Sequence, residues 1–174
     1  MEVFQDLKLK PNNPDSIDVL FERIRNKASK NGWIVKDDFI ENYRKNLGEQ
    51  DKKVICLQSP KINSVDSEIE GYVWFGQWKS TIEVFNIVPV KTGILSYSDY
   101  NEILRQFYEL FIKTEIVDLN FEIEYTKSNK SLEELAGQEV AKAIKLFSLE
   151  ANKTTGHSHP MDSERWKYFI CLAH

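Results

Sequence analysis

The chain has 174 residues, 41% of them hydrophobic and 29% charged, with a net charge of −4. That is enough chain and apolar side chain for one packed domain, and it excludes a disordered polymer. No apolar run approaches the roughly 20 residues of a bilayer-spanning helix, and no basic block exists to bind phosphate, so neither nucleic acid nor an anionic membrane surface is the expected partner.

The first residues, Met1 to Lys8, lack the basic start and apolar stretch of a signal peptide. Cys56 and Cys171 each sit inside an apolar run, as buried, reduced thiols do. Both features lead to the expectation of a cytoplasmic protein.

After a short N-terminal strand or arm, Pro11 to Ser16 form a turn that opens a helix carrying Ile17, Leu20, Phe21, Ile24 and Ala28 at helical spacing. Asn31-Gly32 ends it. Trp33-Ile34-Val35 is a short apolar bridge to a second helix, Asp37 to Leu47, with Phe39, Ile40, Tyr43 and Leu47 on one face. Lys53 to Gln58 reads as a strand and Ser59 to Ser67 as a polar loop. Gly71 to Trp78 and Thr81 to Val90 read as a hairpin. On its first arm Tyr72, Trp74 and Gly76 oppose Val73 and Phe75; on its second, Ile82, Val84 and Val88 oppose Phe85 and Ile87. Apolar residues on both faces place the hairpin centrally, covered on two sides.

Asp99 and Glu102 have the spacing of a capping box for a helix that buries Ile103, Leu104, Phe107, Leu110 and Phe111. Val117 to Tyr125 alternates as a strand with one wet face that carries Asp118, Glu122 and Glu124. Ser131 caps a long helix, and a last helix starts near Asp162. The order predicts a single α+β domain over 1–174, with a mainly antiparallel sheet of about four strands packed with about five helices.

Three features bear on chemistry. Gly156-His157-Ser158-His159-Pro160 places two imidazoles at i and i+2 of an extended segment, on one side and about 6.5–7 Å apart. With Asp162, Glu122 or Glu124 they form a candidate zinc site. The stronger reading of the same residues is a loop that positions the helix after Pro160, capped by Asp162 or Ser163. The string resembles the HxHP core of the JAMM metalloproteases, but the Ser-x-x-Asp of that family does not follow it. The carboxylates Asp118, Glu122 and Glu124 read either as an acid/base pair or as the solvated face of an outer strand. Trp78, in the hairpin tip Gly76-Gln77-Trp78-Lys79-Ser80, is a large apolar residue that packing explains less easily than it does Tyr72 to Phe75, and it is the candidate interface residue.

Tyr100-Asn101-Glu102-Ile103-Leu104-Arg105-Gln106-Phe107-Tyr108, Phe147 to Gly156, His159 to Trp166 and the closing Leu172-Ala173-His174 resemble an uncharacterised bacterial protein family with no assigned function, over about residues 95–174. The resemblance implies a bacterial or phage-related cytosolic protein and brings no catalytic residue with it. Taken together, the sequence predicts a non-catalytic protein-interaction module without cofactor, of regulatory or immunity/antitoxin type, whose partner is another protein. The alternative is a zinc-dependent hydrolase using His157 and His159.

Overall fold

The computed structural model describes residues 2–47, 53–63 and 68–155. Its contacts cluster into two compact units, residues 4–128 and residues 1–3 with 129–174.

The larger unit opens with β1 (Leu7–Pro11), where Leu7 and Leu9 are buried and Lys8 and Lys10 exposed. This is the period-two pattern of a half-wet strand. In α1 (Asp15–Ala28), Ile17, Leu20, Ile24 and Ala28 recur at three and four residues and form the buried stripe. A 3-10 turn over Ser29–Asn31 ends at Gly32, whose φ of 74° is the left-handed cap that glycine adopts without a Cβ clash. Then come β2 (Ile34–Val35), α2 (Asp37–Leu47) and β3 (Val54–Gln58). Four consecutive residues of β3, Val54 to Leu57, are buried, as in a strand covered on both faces. The short pair β4 (Ile62–Asn63) and β5 (Glu68–Ile69) precedes the hairpin of β6 (Gly71–Trp78) and β7 (Thr81–Pro89). α3 (Tyr97–Phe107) runs into a π-helical turn, Tyr108–Ile112, and β8 (Phe121–Tyr125) closes the unit.

Six strands form one sheet in the order β2-β3-β6-β7-β1-β8, every neighbouring pair antiparallel. On one face lie α1, α3 and the π turn. Phe75 stacks on Phe21 at 5.5 Å and meets Phe107 at 5.3 Å, and Trp33 stands edge-on to Phe111 at 5.3 Å. On the other face α2 sets Phe39 against Tyr72 at 5.0 Å and Tyr43 against Trp74 at 5.3 Å. The α+β class, the antiparallel sheet and the two-sided cover of the hairpin agree with the pattern in the sequence.

Several expectations are corrected. The main sheet has six strands, not about four: the sequence reads β1 as either a strand or an arm, and β2, with two residues, is too short to show a period. The polar loop after Ser59 contains β4, whose Ile62 is buried and pairs with Ile69. The strand predicted from Val117 starts only at Phe121. Val117 is 82% exposed, and Asn120, at φ 53°, turns the chain in the left-handed region that asparagine tolerates. Ser96, not Asp99, caps α3, its Oγ accepting the Asp99 N–H at 3.1 Å. On β7, Ile87 pairs with Val73 and Val88 with Tyr72, the reverse of the predicted faces. A bulge between the Trp74 and Phe75 pairings inserts one residue, and one residue exchanges the faces of everything beyond it.

In the smaller unit Ser131 caps α4 (Leu132–Ala136) in a reciprocal box with Glu134. The single long helix expected here is broken at Gly137, with φ 80°, and α5 (Gln138–Thr155) follows. An ion pair between Glu133 and Lys145 ties the two helices. The last helix expected from Asp162 lies outside the described residues.

Candidate functional site: an aromatic shelf at the β6–β7 hairpin

The bulge that shifts β7 also creates the site. Phe75 pairs with Val84 and Trp74 with Asn86, so Phe85 is the residue left without a cross-strand partner. Its ring lies over Gly76: a Cβ there would stand 3.0 Å from Phe85 Cε1, 3.1 Å from the Lys53 carbonyl oxygen and 3.2 Å from Val54 Cγ2. Glycine is what the close approach requires. Tyr43, projecting from α2, meets Phe85 at 5.9 Å as well as Trp74, and Trp74 and Phe85 lie 6.1 Å apart. All three separations are within the range of favourable aromatic pairs.

Trp78 continues this surface at the end of β6. The two-residue connection Lys79-Ser80 reverses the chain with Lys79 at φ 54°, and the Thr81 hydroxyl donates to the Trp78 carbonyl at 2.9 Å. The tip is therefore fixed by its own backbone. Trp78 is 52% exposed and Phe85 41%. With Tyr43, Gln77 and Glu83 they line an open cleft of about 240 Å³. Glu83 stands at its rim, 3.9 Å from Lys8 Nζ. The cleft is an apolar floor with a polar border, which suits an inserted apolar side chain better than a charged reactant.

Of the three carboxylates predicted to share a strand face, Glu122 and Glu124 do so on β8 and Asp118 does not. Asp118 precedes β8 and receives both Nη groups of Arg23, at 2.6 and 2.8 Å. Arg23 also donates to the Glu115 carbonyl at 2.8 Å. The hydrogen bonds from Arg23 hold the Asp118 carboxyl at a pKa of about 2. Glu122 lies 3.5 Å from Lys10, and Glu124 is opposite Lys8 in the β1–β8 register. Each faces a lysine rather than another carboxylate, which is the solvated outer face and not an acid/base pair. Cys56 is buried, and its burial pushes the thiol up to about 12, far from the thiolate that a nucleophile needs.

His157, His159 and Asp162 lie outside the described residues. Among the described residues, no group of three or more His, Cys, Asp or Glu side chains is placed to share a metal ion. Also among them, no helix is long and apolar enough to cross a membrane. Sequence reading singled out Trp78 but missed Tyr43 and Phe85 as its neighbours. The signal was present in β7: Ile82, Val84 and Ile87 keep one face only if an extra residue intervenes at 85.

No protein-family model matches this sequence, and comparison with curated proteins and with solved structures finds no match.

Proposed function

We propose that this chain is a non-catalytic protein-interaction module, a bacterial regulatory or immunity/antitoxin-like protein acting in the cytoplasm. In this reading it docks another protein on the shelf of Tyr43, Phe85 and Trp78. The observation that carries the reading is the pairing of two exposed aromatic side chains, Trp78 and Phe85, with an apolar cleft whose backbone is fixed by a bulge and a tight hairpin. Preformed aromatic surfaces of this kind supply binding energy at small ordering cost. The partner inserts an apolar anchor beside Trp78 and hydrogen-bonds at the Gln77 and Glu83 rim. Trp78→Ala tests this. It is expected to weaken the complex by about 2 kcal/mol or more, roughly thirtyfold. Unchanged affinity in a folded variant would remove the shelf from the interface.

The zinc-hydrolase alternative rests on the Gly156–Pro160 string. Elemental analysis of protein purified without chelators decides it: near-stoichiometric zinc that is lost in His157→Ala/His159→Ala would replace the interaction reading.

A further inference from the structure

The outer edge of the main sheet carries a second recognition feature, independent of the shelf. β8 stands last in the strand order and pairs only with β1 among the described residues. The Asn12 N–H donates to the Asn120 carbonyl at 3.3 Å and the Thr126 N–H to the Asp6 carbonyl at 3.0 Å. By antiparallel alternation, residues 120, 122, 124 and 126 turn their backbone groups toward β1. Phe121, Ile123 and Tyr125 therefore turn theirs away from the sheet, where no hydrogen-bond partner meets them among the described residues. Such a row of alternating N–H and C=O groups is a template for one more strand.

The charges select which strand. Across the wet face the sign alternates from strand to strand: Glu83, Lys8, Glu124 in one row, and Lys10, Glu122 in the next. Both rows end at the edge on a carboxylate. A second copy of the chain paired antiparallel about Ile123 would set Glu122 against Glu124 of its mate, with like charges directly opposite. A strand with Lys or Arg at those two positions continues the alternation instead. Those positions are also the non-hydrogen-bonded ones, where facing side chains come closest. Between them, Ile123 shares a face with the buried Leu9 yet is left 43% exposed, so an apolar residue opposite completes its cover. Basic, apolar, basic is the pattern of Lys8-Leu9-Lys10, which β8 already pairs with on its inner side.

We propose that the outer edge of β8 docks an extended segment of a partner protein in which basic and apolar residues alternate. The test is fluorescence anisotropy at low ionic strength, using the full chain and a labelled, capped peptide of threonine, valine, lysine, valine, lysine, valine and threonine. The lysine peptide is expected to bind about tenfold more tightly than its glutamate counterpart, and the Glu122→Lys/Glu124→Lys variant to reverse that preference. N-methylation of the central valine, which removes the N–H directed at the Ile123 carbonyl, is expected to abolish binding without altering the protein. Amide exchange at Phe121, Ile123 and Tyr125 is expected to slow in the complex. Absence of binding at millimolar lysine peptide, equal binding of both peptides, or indifference to N-methylation would each overturn the proposal. Trp78→Ala is expected to leave peptide binding unchanged, so failure here and failure of the shelf are separate results.

Discussion

Gly76 is the smallest lever on the shelf. Adding a methyl group there brings a Cβ to within 3.0 Å of the Phe85 ring and 3.1 Å of the Lys53 carbonyl, and the carbonyl belongs to backbone that cannot swing aside. Gly76→Ala is expected to cost about 1–3 kcal/mol, the usual range for overpacking, and to displace Phe85. Urea denaturation gives the first quantity, and the chemical shifts of the Tyr43 and Trp74 rings report the second. Asp118 allows a pH prediction. Its pKa of about 2 lies below the ordinary aspartate value near 3.9, so its contribution to stability is complete above the ordinary value. That contribution fades as the pH falls from about 4 toward about 2. Glu115, hydrogen-bonded by Lys27 at 2.6 Å, is shifted in the same direction. Urea midpoints measured across this window should fall less steeply in Arg23→Met than in the wild type. Equal slopes would show that the bidentate pair does not persist in solution.

At the scale of elements, the hairpin of β6 and β7 lies at the middle of the main sheet, and its buried Phe75 stacks on Phe21 and meets the tilted ring of Phe107. Phe75→Ala is expected to cost about 3–5 kcal/mol, measured by urea unfolding, because α1 and α3 both lose their contact. How much of this was legible follows from element length. The apolar stripe of α1 and the two-sided hairpin have enough residues for a period to be visible, and both were read, with only Ile87 and Val88 beyond the bulge assigned to exchanged faces. β2 and β4, with two residues each, do not, whereas β1 alternates Leu7 and Leu9 with Lys8 and Lys10 and reads as either a strand or an arm. The break at Gly137 was masked by apolar residues that keep helical spacing across it. In the candidate site, Trp78 was legible because a large apolar residue stands out in a polar hairpin tip. Phe85 was not read, although the spacing of Ile82, Val84 and Ile87 on β7 carries the trace of the bulge that exposes it.

At the scale of the whole molecule, the proposed docking role rests on the acidic balance and the aromatic hairpin tip. Trp78 is half-exposed at a hairpin end, so its removal is expected to leave the chain folded while disabling the shelf. That separation of binding from stability makes it the decisive residue. The measurement is quantitative affinity capture from the native host, comparing wild type with Trp78→Ala, with circular dichroism to verify that both are folded. The account predicts one defined protein partner recovered near stoichiometrically by the wild type and depleted at least tenfold by the variant. Recovery of the same partner in equal amount by both, or of none by the wild type, would contradict it.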